Sequence, residues 1–196
     1  MLASITPLGE RGRHATWGVT VTAFLLGSVL AGLVVGAALG AAGSVALPAG
    51  LGQSARLIVL AVALAVAVAL DASPIRVPGP ARQVNEHWLD EYRGWVYGLG
   101  YGAQLGLGVT TVVSSAATYV ALIAAFLTAS PGRGAVVLGC FGAVRGLTPI
   151  AAAPVRTPEG LIAVHRALAR LRTPVRWGGV VALAAVLGVS VAGGVA

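Results

Sequence analysis

Arg145 stands about 11 residues into an otherwise uncharged run over residues 134-155, where a charge costs several kcal/mol unless it faces a cavity, a partner or an interface. Asp71 sits near the end of another such run, 55-75. Asp71 occupies nearly the position in one of two repeat-like units that Arg145 has in the other, which predicts a salt bridge between the helices that carry them. Gln104, in a third run with Tyr101, Thr110 and Ser114, adds amide and hydroxyl groups to the same cluster. Arg145, Asp71 and Gln104 are therefore read as substrate-binding or gating residues. On the competing reading Arg145 snorkels to the interface, or locks helices together through Asp71, and nothing is transported.

Other chemistry finds little support. His14, His87 and His165 all fall at the edges of apolar runs and read as solvated side chains, and neither an HExxH pattern nor a carboxylate cluster accompanies them. No catalytic residue and no metal-ligand set is assigned, and an enzyme is the least favoured class. Heme or quinone binding by those histidines stays open, so the cofactor is unknown. One cysteine, Cys140, forbids an intrachain disulfide or a CxxC pair and reads as a small packing residue.

The elements that must position these residues are long and apolar. Residues 15-47, 55-75, 95-129 and 178-196 carry almost no charge, and 134-155 carries Arg145 alone. A hydrocarbon core about 30 Å thick takes about 20 apolar residues as helix, because each backbone amide must be satisfied within the segment. With 57% hydrophobic and 10% charged residues, and a mean hydropathy of +0.89, the chain departs from soluble domains, where charged residues make up about a quarter. We read residues 1-196 as one all-α, polytopic membrane domain of about five transmembrane helices. Reading residues 1-49 as a cleaved signal peptide is disfavoured, because the apolar run far exceeds the usual core of about 7-15 residues.

Small residues recur at every fourth position in two of these runs. Ser28, Gly32, Gly36, Gly40 and Ser44 form one ladder; Gly94, Gly98, Gly102, Gly106, Thr110, Ser114 and Thr118 form the other. In lipid such ladders let helix backbones approach closely. Gly32, Gly36, Gly40, Gly98, Gly102 and Gly106 are thus assigned to helix packing, either within the chain or against another subunit. Runs of 33 to 35 residues exceed what a bilayer needs at about 1.5 Å per residue. Strong tilt is the plainer account of the third run, and unwinding near Gly100-Gly108 is the alternative.

All thirteen basic residues are arginine, which reads as the codon bias of a GC-rich bacterial genome. They concentrate in the N-terminal segment, in 71-94 and in 154-177. The positive-inside tendency then puts the N-terminus in the cytoplasm and the C-terminus outside the inner membrane. Residues 83-94, with Val84, Trp88 and Tyr92 in step, and residues 157-172 read as interfacial amphipathic segments. Thr157 caps the second, and its Arg166, Arg170 and Arg172 are placed to meet anionic lipid. The expected partners are the bilayer and either further copies of the chain or a larger membrane complex; nucleic acid is not among them.

Ser73-Pro74-Ile75 before Pro80-Ala81-Arg82 is echoed by Thr148-Pro149-Ile150 before Pro154-Val155-Arg156, which suggests two internal repeats. These hydroxyl-proline motifs resemble those of the CcdA/DsbD-type thiol-disulfide interchange and cytochrome c biogenesis proteins. The resemblance covers two short motifs and implies a membrane protein with proline-kinked helices. The cysteines that follow the first proline in that family are replaced here by Ile75 and Ile150, which removes the redox chemistry. One long run rather than two helices separates the motifs, a further departure. The function expected is that of a small transporter or permease for a solute or ion; the alternative is a non-catalytic structural or assembly subunit of a larger membrane complex.

Overall fold

The computed structural model describes residues 5–48, 51–74, 77–79, 91–108, 113 and 115–195. Its elements are α1 (Pro7–Gly12), α2 (Trp17–Ala46), α3 (Gln53–Ala72), α4 (Gly94–Gly106), α5 (Ala117–Leu127), α6 (Pro131–Gly146), a 3-10 turn (Thr148–Ala152) and α7 (Pro158–Val195). No strand occurs among the described residues. The protein is a helical membrane bundle of about five helices: α2, α3, α6 with its 3-10 extension, and α7 are each long and apolar enough to cross a bilayer, and α5 is a shorter apolar helix.

α2 is the centre, and it carries no charge because its whole surface lies against helices or lipid. Its first half packs on α4. There a Cβ added at Gly98, Gly102 or Gly106 would collide with the carbonyl oxygens of Thr20, Phe24 and Ser28 in turn. The pairs advance together, so α4 runs parallel to α2. Its second half packs on α6, where Gly32, Gly36 and Gly40 press on the carbonyls of Leu138, Gly134 and Ser130. Those pairs run in opposite senses, so α6 is antiparallel. At Gly43 the neighbour is the Phe126 carbonyl near the end of α5. Ser28, fully buried, joins the halves: its hydroxyl donates to the Gly142 carbonyl at 2.7 Å. Side chains larger than hydrogen at these glycines would hold the axes apart, so backbone-to-backbone dispersion replaces the usual interlocking of large residues.

The third apolar run is not one tilted helix. It is divided into α4 and α5, and α4 ends opposite Ser28, about 17 Å along α2. Gly106 and Gly108, the latter at φ +79°, lie at the stop. Thr110 and Ser114 of the expected ladder lie outside the described residues, as do 83-90 of the expected amphipathic segment.

The fourth segment ends earlier than expected. α6 stops at Gly146 and gives way to the 3-10 turn, because Pro149 has no amide to continue the ladder. Near the C-terminus the difference has the opposite sign. An interfacial helix over 157-172 and a separate span over 178-196 were expected, yet α7 is continuous through Pro174. A proline inside a helix removes one hydrogen bond but does not by itself end the helix. The cap at its start is as read: the Thr157 hydroxyl accepts from the Gly160 amide at 3.2 Å. α7 lies mainly along α3 and leaves most of its surface uncovered.

Candidate functional site

Asp71 lies half-buried at the end of α3, and its carboxylate reaches the start of α5. One oxygen accepts from the Ser115 hydroxyl at 2.6 Å and the other from the Ala116 amide at 2.9 Å. Ser115 in turn accepts from the Ala117 amide at 3.1 Å. An anion at a helix N-terminus meets the positive end of the helix dipole and satisfies amides that have no partner within the helix. At the other end of the same pair of helices, Arg56 of α3 points a guanidinium nitrogen at the Leu127 carbonyl, 3.5 Å away. α3 therefore runs antiparallel to α5 and meets each end of it with the charge that its dipole favours. Arg176 of α7 completes the junction by donating to the backbone carbonyls of Asp71, at 2.8 Å, and Ser73.

The expected Asp71–Arg145 bridge is absent: the one ion pair among the described residues joins Arg13 and Glu10. α6 ends at Gly146, so Arg145 occupies the last turn of its helix, inside a span that the 3-10 turn continues, and a cation there is favoured by the dipole. Its guanidinium lies 5.5 Å from the Phe141 ring centroid, and Nη1 is buried without a hydrogen-bond partner. Gly142 and Gly146 both approach Ser28, which puts Arg145 at the level where α4 stops. Gln104 is half-buried on the side of α4 opposite the glycine face, since position 104 is about 200° round the helix from 102. Cys140 is exposed on α6 and is no packing residue. His14 and His165 are exposed, and no group of three or more metal-ligating side chains occurs among the described residues.

The most deeply buried charge is Glu10, at 0% exposure, which the sequence does not single out. Its carboxylate accepts from Arg13 at 2.9 Å, from the Thr20 hydroxyl at 2.7 Å and from the Tyr97 hydroxyl. The cluster ties α1 to both α2 and α4. Burial works against the charge on Arg13, but the hydrogen bonds and charges of Glu10 and Tyr97 outweigh it and hold the guanidinium above its usual pKa. The available signal was that Glu10 is the sole acidic residue before Asp71.

Fold and site together define a polytopic helical membrane protein with an interrupted third apolar segment and charged residues gathered at helix ends. The chain is similar to the methylamine utilization protein MauF of Paracoccus versutus, 31% identical over 153 residues, covering 76% of this chain and 56% of that protein. The chain thus spans little more than half the length of this relative. No family model and no solved structure matches.

Proposed function

We propose that the chain is a multi-pass protein of the bacterial inner membrane, N-terminus in the cytoplasm and C-terminus outside, that moves a small solute or ion as part of a methylamine-utilization system. One observation carries this reading: the interruption between α4 and α5 lies opposite Ser28, well inside α2, and a carboxylate from a third helix closes the exposed start of α5. Irregular backbone at membrane depth is tolerated where protein or a water-filled cavity covers it, and discontinuous helices form the ion and substrate sites of many transporters. Asp71 is the gating residue in this scheme, with Arg145 at the level of Ser28 and Gln104 two residues before the end of α4. The name of the MauF relative makes methylammonium, a small cation that a carboxylate can pair with, the first solute to test. The two proline motifs add a CcdA/DsbD-like likeness in how α3 and α6 end, without the thiols.

The test is uptake of methylammonium and of small inorganic ions into liposomes carrying the purified chain. Flux that is abolished by Asp71→Asn, with the variant still folded, supports the proposal. A second reading, a structural or assembly subunit, is favoured by the bare outer face of α7, where Val175, Trp177, Val181 and Val189 are exposed. Absence of flux together with stoichiometric recovery of larger membrane proteins from the native membrane would replace the first reading with the second.

A further inference from the structure

An open cleft of about 470 Å³ lies where α1, the start of α2 and the 153–156 turn meet; Arg11, Ala15, Thr16, Trp17, Gly18 and Arg156 are among the residues that line it. Both charged residues of its lining are arginines, and no carboxylate is part of the wall. They come from opposite ends of the chain, yet their placement is built into the fold: the Leu8 amide donates to the Val155 carbonyl at 3.1 Å, and Val155 is fully buried. Glu10, the acidic residue of α1, is fully engaged by Arg13, Thr20 and Tyr97 and is closed off from solvent. Neither Arg11 nor Arg156 has an ion-pair partner among the described residues.

Further donors line the same cleft. Trp17 and Gly18 open α2, so their amides have no carbonyl to bond within the helix, and the Thr16 side chain makes no cap bond. Two arginines and the positive end of a long helix thus border one concavity whose lining holds no carboxylate. Guanidinium groups match phosphate oxygens in pairs, and helix N-termini favour the same anion.

We propose that this cleft binds a phosphate group, carried either by an anionic glycerophospholipid at the membrane surface or by soluble phosphate. The proposal does not depend on the transport reading. It is tested on the purified full chain in detergent by native mass spectrometry during titration with phosphatidylglycerol, with diacylglycerol as the phosphate-free control and inorganic phosphate in a parallel calorimetric titration. One phosphatidylglycerol is expected to bind per chain while diacylglycerol is not retained. The affinity should fall at least tenfold in R11Q/R156Q and hold in R166Q/R170Q, whose arginines are exposed on α7. Saturable binding of inorganic phosphate, lost in the same double variant, would support the site and identify the soluble source. Equal loss in both double variants, or no phosphate-dependent binding at all, would overturn it. Should R11Q/R156Q fail to fold, R11K/R156K carries the test: it retains charge but not the paired fork, and binding weakened by the lysines supports the site, whereas unchanged binding overturns it.

Discussion

At the scale of single residues, the most deeply buried charge is also the one held by the most donors. Glu10 accepts three hydrogen bonds at full burial, so removing any one donor leaves a charge less well solvated than in water. Tyr97→Phe should cost about 1.5–3 kcal/mol, the usual value of a hydrogen bond to a charged group, measured as a lower melting temperature in detergent. Thr20→Val should cost a similar amount, because it too removes one donor and leaves two on the carboxylate. A double-mutant cycle between positions 97 and 20 should give a coupling term, since both act on the same group. This cluster was not legible in the sequence for a physical reason. α1 has six residues, too few to show a period, and the partners of Glu10 lie 10 and 87 positions away. Asp71 and Arg145 were legible as unusual charges, but the bridge expected between them does not form: Asp71 binds the start of α5, and Arg145 sits in the last turn of α6. The helix ends one residue past Arg145, before the Thr148–Ala152 turn, and so puts the charge at a helix end within the span.

At the scale of elements, close backbone packing around α2 and charge at the ends of α5 divide the work. Adding a methyl at Gly36 or Gly102 would force the backbones of Gly134 or Phe24 to move, and overpacking of this kind costs about 1–3 kcal/mol. Nothing lies within 4 Å of a Cβ at Gly178 or Gly188 on α7, where Ala should gain up to about 1 kcal/mol from helix propensity. Melting curves of G36A, G102A, G178A and G188A should therefore split into two losses and two small gains; four equal responses would mean that composition, not packing, explains the glycines. Because α2 spends its glycines inside the chain, G36A should loosen the fold itself and not merely release a partner. Asp71→Ala removes the anion and both bonds at the start of α5, and should cost about 1–2 kcal/mol, the range for a lost N-cap. The four-residue spacing made the glycine faces readable. The break in the third run was not, since its glycines fit either a tilted helix or an unwound one, and the choice is made by Asp71 from another segment.

At the scale of the whole molecule, the direction of each helix follows from which residues meet. α4 climbs along α2 from Thr20 to Ser28, and the end of α5 lies at Gly43, so both halves of the interrupted segment travel the same way. A re-entrant hairpin would instead bring α5 back toward Thr20. Counted as one crossing beside α2, α3, α6 and α7, the two halves would make the total odd. α6 returns to the start of α2, where Gly146 meets Leu25, and α7 departs from the same end, next to the Leu8–Val155 bond. An N-terminal and a C-terminal epitope tag should accordingly lie on opposite sides of the membrane. Protease treatment of sealed vesicles should remove one tag and treatment of inverted vesicles the other; on the proposed orientation the N-terminal tag is the cytoplasmic one. Removal of both tags from the same vesicle orientation would mean that α4 and α5 do not cross as one segment, and the Asp71 junction would then sit at a membrane surface rather than within the span.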